Sequence, residues 1–133
     1  MSHYMDTFST NDAPAAIGPY SQAVATGELV FLSGQIALDP ATGEMVPGGV
    51  ADQTRRVLEN MQAVLKAAGC GLECVVRCTV YLQDLEAFGE MNAVYGEFFR
   101  EPHPARAAVE VARLPKDGLV EIDAIAVRPP SAE

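Results

Sequence analysis

The sequence contains few basic residues. Lysine and arginine together number nine, against eighteen aspartates and glutamates, and the net charge is −9. An acidic surface repels phosphate backbones and anionic lipid headgroups, so this composition argues against nucleic acid and membrane surfaces as partners. An anionic substrate would need a local positive charge to hold it against this field.

Long apolar runs are also absent. No segment approaches the roughly 18 apolar residues of a membrane span. The first twelve residues, MSHYMDTFSTND, lack the apolar stretch of a signal peptide. Cysteine is scarce as well, with three residues, an odd number. Together these features predict a cytoplasmic protein with reduced thiols.

The three cysteines, Cys70, Cys74 and Cys78, have regular C-x3-C-x3-C spacing. One interpretation is a metal or cluster site, and the other is small apolar side chains where a helix passes into a strand. Gly69 and Gly71 break the helical register, and no nearby histidine completes a tetrahedral set. We favour the second interpretation and expect no metal. Motifs for a phosphate-binding loop, a nucleophile elbow or a zinc site are also missing.

The composition that is present is that of an ordinary globular protein. Hydrophobic residues make up 49% and charged residues 20% of the 133 positions, which is far from the composition of a disordered chain. The length predicts one domain over residues 1–133, with about residues 1–12 as a loose lead-in.

Hydrophobic periodicity predicts an α+β fold. Residues 51–68 repeat apolar side chains at helical spacing, whereas residues 74–85 alternate like a strand. The interior Ser33-Gly34 pair suggests a bulge, and the turn near Lys116-Asp117 suggests a hairpin. The element order β-β-α-β-α-β-β then gives two layers, a mixed sheet packed by two helices. The predicted segments are an extended or looped stretch at 13–24, strands at 27–40, 74–85, 105–112 and 119–127, and helices at 51–68 and 85–99.

Two charged residues stand inside the last two predicted strands. Alternation places Arg106 on a strand face with the small Ala108 and with Glu110, which is more typical of a cavity lining than of a packed core. Glu121 lies opposite the apolar face of its own strand. If the strands form a hairpin, Glu121 faces Ala112 and Arg106 is roughly 20 Å away. The two charges should not meet within one chain, so we expect a homo-oligomer with shared sites.

These two residue types suggest a chemistry. An arginine guanidinium binds a carboxylate with two parallel hydrogen bonds, and a partly desolvated glutamate can act as a general base through a water. The pair therefore suggests a small carboxylic acid whose reactive carbon is attacked by water. A structural alternative stays open, in which Glu110 is the ion-pair partner of Arg106.

Four stretches resemble the RidA (YjgF) family of enamine/imine deaminases. They are APAAIGPYSQAV, SGQIALDPATGE, MNAVYGEFF and, above all, ARAAVEVARLPKDGLVEIDAIAV, and the similarity extends from about Asn11 to Arg128. The resemblance implies a homotrimer with a chorismate-mutase-like fold and sites in the clefts between subunits. It also implies a hydrolase without metal or organic cofactor. Its substrates would be reactive imines such as those from 2-aminoacrylate, generated by pyridoxal-phosphate dehydratases and converted to 2-ketoacids and ammonia.

The resemblance also assigns roles to residues. The family's carboxylate-binding arginine matches Arg106, and its water-orienting glutamate matches Glu121; these are the expected catalytic residues. The other expected substrate-binding residues are Tyr20, Ser33, Gly34 and Asn92.

One position departs from the family pattern. Many members carry a cysteine two residues after the arginine, whereas this chain has Ala108. The missing thiol makes the substrate preference uncertain and mildly favours a pathway-specific deaminase that acts on a larger imine. A further alternative is a non-catalytic trimer that binds small ligands or acts like a chaperone.

Overall fold

The computed structural model describes residues 4–129, which form a six-stranded sheet with two helices. The strands lie in the order β1-β2-β3-β6-β4-β5, and all neighbours are antiparallel except β4 and β5. The predicted α+β fold with a mixed sheet is therefore confirmed. In the described part, no helix is both long and apolar enough to cross a bilayer. The elements are β1 (Asp6–Phe8), β2 (Ala23–Thr26), β3 (Leu29–Gln35), α1 (Val50–Ala67), β4 (Val75–Leu82), α2 (Phe88–Phe98), β5 (Ala105–Glu110) and β6 (Val120–Val127).

Helix α1 forms where the apolar spacing predicts it. Val57, Met61, Val64 and Leu65 are fully buried against the sheet. They share one face because residues three and four apart stack on a helix. The helix stops next to Gly69, which has a φ of +82°, an angle that favours glycine after a helix end.

The predicted hairpin between the last two strands is wrong. Strand β4 lies between β5 and β6, antiparallel to β6 and parallel to β5. A parallel pair needs a long crossover, which α2 provides. The short LPKDG connection instead contains Lys116 and Asp117 in left-handed conformations, both with a φ of +55°. Strand β6 becomes central because its inward residues, Val120, Ile122 and Ala124 among them, are buried apolar side chains.

The expectation of a loose lead-in over residues 1–12 is wrong for Asp6–Phe8, which pairs with β2. Residues 1–3 lie outside the described part. The buried amide of Gln22 holds the following segment: it accepts a hydrogen bond from the Thr10 amide at 2.7 Å and donates to the Pro14 carbonyl at 2.7 Å. The polar composition of the lead-in gave no sign of this anchor.

The sheet has one covered and one open face. The helices cover the face that carries residues such as Val80 and Ile122, which are fully buried. On the other face, Phe31, Val109 and Val127 remain 36–42% exposed within one chain. These exposed apolar side chains make the open face a candidate surface for association.

Two buried amides of α1 fix the strand ends where the candidate site lies. The side chain of Asn60 donates to the carbonyls of Ile36 and Leu38, at 3.3 and 3.0 Å, just after β3. The side chain of Gln53 accepts from the amide of Leu119 at 2.8 Å, just before β6. Both strands are thereby held in register with the helix layer.

Candidate active site

A cavity of about 610 Å³ opens where β3 ends and β6 begins. We call it the Glu121 pocket. Of the predicted site residues, Tyr20, Ser33, Gly34 and Glu121 line it together. The N-terminal loop, β3 and β6 thus bring four residues into one pocket, although about a hundred positions separate the first from the last.

Gly34 makes room for the carboxylate of Glu121. A Cβ atom at Gly34 would overlap with Oε2 of Glu121. The pairing of β3 with β6 shifts register between Leu32 and Gln35, as the predicted bulge requires. Glycine was expected here because a ligand could approach its backbone. The structure shows that its first neighbour is the glutamate itself.

Ser33 and Tyr20 have different surroundings. The hydroxyl of Ser33 donates to the carbonyl of Ser21 at 2.6 Å, and its amide donates to the carbonyl of Gln22 at 3.0 Å. Ser33 therefore anchors the Tyr20 loop, and its hydroxyl proton is already used. Tyr20 itself is 53% exposed at the pocket rim, so its hydroxyl can reach a ligand.

The carboxylate of Glu121 is poised for proton transfer. Partial burial raises its pKa above the ordinary value, and the negative charge of Asp123 raises it further. Asp123 lies two residues along the same face of β6 and accepts a hydrogen bond from the Tyr81 hydroxyl at 3.0 Å. Tyr81 is the direct cross-strand neighbour of Glu121. A carboxyl group with a raised pKa is well suited to both accept and return a proton.

The other two predicted site residues lie in a second cavity. This cavity of about 430 Å³, the Arg106 pocket, is lined by Asn92 and Arg106 together with Tyr95, His103 and other residues. Asn92 accepts a hydrogen bond from Nη1 of Arg106 at 2.7 Å through its side-chain Oδ1. Helix α2 therefore orients the arginine of β5.

Two aromatic rings also hold the guanidinium of Arg106. Its Cζ lies 4.7 Å from the ring centre of Tyr95 and 5.3 Å from that of Phe88. Within residues 4–129, no carboxylate oxygen comes within 4.0 Å of it. Glu110 accepts from the Leu85 amide at 2.8 Å instead, so the structural ion pair between Glu110 and Arg106 is not formed. The arginine is ordered, charged and available to an anion.

Arg106 and Glu121 lie on opposite faces of the sheet. Arg106 is in register with the buried Cys78, and Glu121 with Tyr81, three residues further along β4. Arg106 and Glu121 are therefore two strands apart across the sheet and three residue positions apart along the strands. Together these offsets give a distance of roughly 14 Å between their Cα atoms. The predicted separation of the charges is therefore confirmed, but its reason differs, because the hairpin behind the 20 Å figure does not form.

Sequence reasoning missed the groups that support the two charges. No role was assigned to Phe88 and Tyr95 from the sequence, although residues seven apart share one face of a helix. Asp123 shares a strand face with Glu121 at a spacing of two residues, a signal that was available. Lys116, which also lines the Glu121 pocket, gave no sequence signal because turn lysines are common.

Ala108 and the cysteines lie outside both pockets. Ala108 packs against the core two residues after Arg106. Cys78 is buried, whereas Cys70 and Cys74 are partly buried. Burial raises the pKa of Cys70 to about 11, which disfavours its thiolate. In residues 4–129, the structure brings no three potential metal ligands together.

Comparison with known proteins gives consistent matches. The family model described as Endoribonuclease L-PSP matches residues 10–128. A RutC family protein of Pyrococcus horikoshii is 57% identical over 119 residues, covering 90% of this chain and 94% of the relative. A protein of Bos taurus named 2-iminobutanoate/2-iminopropanoate deaminase is 53% identical over 122 residues, with coverages of 92% and 89%.

Solved structures are similarly close. The crystal structure of RidA from Psychrobacter sp. PAMC 21119 superimposes with a TM-score of 0.89 at 48% identity, covering 92% of this chain and 98% of that one. Escherichia coli TdcF with bound serine gives 0.87 at 48% identity, with coverages of 93% and 99%. The match over nearly the whole chain, in sequence and in structure, shows that this chain belongs to the Endoribonuclease L-PSP family, which is also known as the RidA or YjgF family.

Proposed function

We propose that this chain is an imine deaminase that hydrolyses 2-iminobutanoate, 2-iminopropanoate and related reactive imines to 2-ketoacids and ammonia. The observation that carries the proposal is the state of Arg106, which is ordered by Asn92 and two rings but paired with no carboxylate in the described residues. Mammalian relatives about half identical over most of the chain are named 2-iminobutanoate/2-iminopropanoate deaminase, which supports this substrate class.

The complete site requires two chains. Arg106 and Glu121 are on opposite faces of one sheet, so neither pocket holds both. The open face, with exposed Phe31, Val109 and Val127, offers an apolar surface for a second copy. We infer a homotrimer in which the Arg106 pocket of one copy closes the Glu121 pocket of the next. The number of subunits, three, is inferred from the family resemblance.

The catalytic steps follow from the chemistry of the two groups. Nη1 of Arg106 is bound to Asn92, which leaves Nη2 and Nε to hold the substrate carboxylate in two parallel hydrogen bonds. Glu121 takes a proton from water as the water oxygen bonds to the imine carbon, and gives that proton to the imine nitrogen, which produces a carbinolamine. Glu121 then takes the hydroxyl proton of the carbinolamine and gives it to the amine nitrogen, so that the C–N bond breaks and ammonia leaves as the carbonyl forms.

The remaining expectations belong to the same proposal. The reaction uses only water and side chains, so it needs neither a metal nor an organic cofactor. The net charge of −9 supports small molecules rather than nucleic acid as partners, even though the family description refers to a ribonuclease. The substrate would come from pyridoxal-phosphate dehydratases, and the cytoplasm would be the site of action.

A coupled assay tests this function. A serine/threonine dehydratase generates the imine, semicarbazide competes for it, and ketoacid formation is followed with and without this protein. The wild type should accelerate ketoacid release, Arg106→Ala should not, and the matched control Arg100→Ala should behave like the wild type. Binding of a ketoacid without any acceleration would replace the deaminase with a non-catalytic ligand-binding role.

A further inference from the structure

The Glu121 pocket contains a second charged side chain. In the described part of the chain, thirteen residues line the cavity, and Glu121 and Lys116 are the charged ones. Most of the remaining lining is apolar or small, with Ile17, Ile36 and Leu38 among it. A lone cation in an apolar pocket of a protein with net charge −9 is a local attraction for an anion.

Lys116 has no carboxylate partner within residues 4–129. No oxygen of an Asp or Glu side chain lies within 4.0 Å of its ammonium, and the adjacent Asp117 is paired with Arg113 at 2.9 Å. Glu121 lines the same pocket, but its pKa is raised by burial and by Asp123, whereas a close ammonium would lower it. The two opposite charges therefore share the pocket without neutralising each other.

The turn that carries Lys116 is held in an uncommon conformation. Both Lys116 and Asp117 have a φ of +55°, which costs about 1 kcal/mol for each non-glycine residue. The amide of Asp117 donates to the carbonyl of Leu114 and that of Gly118 to the carbonyl of Pro115, both at 3.1 Å. These bonds fix the direction in which the lysine leaves the backbone, and backbone strain of this kind is found preferentially at functional sites.

We propose that Lys116 determines specificity by binding a second anionic group, so that the cleft accepts 2-imino acids whose side chain ends in a carboxylate. This inference rests on the proposed function and extends it. Arg106 from the neighbouring copy holds the α-carboxylate, and Glu121 acts at the imine carbon. Lys116 then holds the distal carboxylate, and Ile36 and Leu38 contact the methylene groups between them. A 2-iminodicarboxylate such as 2-iminoglutarate satisfies both cations.

The test compares the hydrolysis rates of three imines that are generated in situ from D-amino acids. D-Amino acid oxidase with catalase converts D-alanine and D-methionine to neutral-side-chain imines, and D-aspartate oxidase converts D-glutamate to 2-iminoglutarate. Semicarbazide competition then reports the protein-dependent rate for each imine. The methionine-derived imine controls for size, because its side chain is similar in length to that of glutamate but carries no charge.

The variant is Lys116→Met, which keeps a long apolar stem and removes the charge. The matched control is Lys66→Met, which changes the net charge equally but lies at the end of α1, outside both pockets. Lys116→Met should lower kcat/KM for 2-iminoglutarate about threefold to fivefold, the size of one exposed ion pair. The kcat/KM values for the other two imines should not change. The wild-type preference for 2-iminoglutarate should also weaken as salt screens the pair.

Four results would overturn the inference. Equal losses on all three imines would mean that Lys116 only supports the fold of the turn, which circular dichroism would show. No loss on any imine would mean that the lysine does not contact substrate. If the wild type accelerates hydrolysis of the alanine-derived imine but the charge of Lys116 has no effect on 2-iminoglutarate, the proposed role of Lys116 is wrong and the deaminase activity stands. If the wild type accelerates hydrolysis of none of the imines, both the deaminase activity and the role of Lys116 are wrong.

Discussion

Arg106 and Glu121 point to opposite faces of the same sheet, Arg106 towards the helix layer and Glu121 towards the open face. Their neighbours differ accordingly: Asn92 and Tyr95 of α2 contact the arginine, whereas Gly34 and Asp123 lie beside the glutamate. A reaction that needs both charges therefore needs two copies of the chain. This relationship makes the shared site testable without a structure of the assembly.

Mixed oligomers should recover activity that each variant lacks. Arg106→Ala and Glu121→Gln chains carry different tags, are co-expressed and are purified through both tags in turn. If the assembly is the proposed trimer, every mixed trimer contains one cleft with both wild-type residues, so activity should return to roughly a third of the wild-type value. Each variant alone should be inactive. If both residues acted within one chain, mixing would restore nothing.

Much of this architecture is readable from the sequence because local patterns determine it. The 3.6-residue periodicity of 51–68 identifies α1, and the strict alternation of 119–127 separates Glu121 from the buried face of β6. Strand order is not readable in the same way. Whether β5 pairs with β6 or with β4 depends on where α2 returns the chain, and alternation is the same in both cases.

The candidate site shows the same division. Arg106 stands out as a charge among small residues, and alternation alone indicates that it faces a space. The contact between Gly34 and Glu121 depends on the pairing of β3 with β6 and on the bulge between them, two non-local features. The position of Lys116 depends on two left-handed residues in a turn, a conformation that Asp tolerates but that no propensity rule predicts for Lys.

A methyl group at Gly34 should displace the carboxylate of Glu121. In Gly34→Ala, the new Cβ overlaps with Oε2 of Glu121. The flexible side chain can rotate away, so the fold should survive while kcat falls at least about tenfold through the misplaced base. The control Gly89→Ala adds a methyl group in the first turn of α2, where no other side chain lies within 4 Å, and should leave kcat at the wild-type value. Wild-type kcat in Gly34→Ala would show that the carboxylate position is not critical.

The pH profile should move when the charge beside Glu121 is removed. In the proposed reaction Glu121 acts as an ionised base, so kcat/KM should rise with pH as the group loses its proton, and its raised pKa should place this rise at a higher pH than for an ordinary glutamate. Asp123→Asn removes one of the two causes, so the rise should shift to lower pH. Tyr81→Phe keeps the Asp123 charge and removes only its hydrogen bond, so it should not produce this shift. An unmoved profile in Asp123→Asn would exclude Asp123 as a cause.

The same raised pKa has a consequence for stability. Because the folded protein holds the proton of Glu121 more tightly than the unfolded chain does, stability decreases as pH rises through the pKa values of the unfolded and folded states. Glu121→Gln should therefore have a higher Tm than the wild type at neutral pH, and the difference should disappear below about pH 4. Its activity should fall about a hundredfold or more. The exposed Glu28 on the β2–β3 turn provides a control, because Glu28→Gln should change neither quantity.

The ring of Tyr95 should matter for substrate binding, and its hydroxyl should not. The hydroxyl is buried without a hydrogen-bond partner in the described residues, while the ring lies 4.7 Å from the guanidinium of Arg106. Tyr95→Phe should therefore keep KM and match or exceed the wild-type Tm, because it removes a buried hydroxyl that has no hydrogen-bond partner. Tyr95→Leu removes an attraction of about 1 kcal/mol from the arginine, so KM should rise several-fold with a smaller change in kcat. A KM in Tyr95→Phe as high as in Tyr95→Leu would transfer the role from the ring to the hydroxyl.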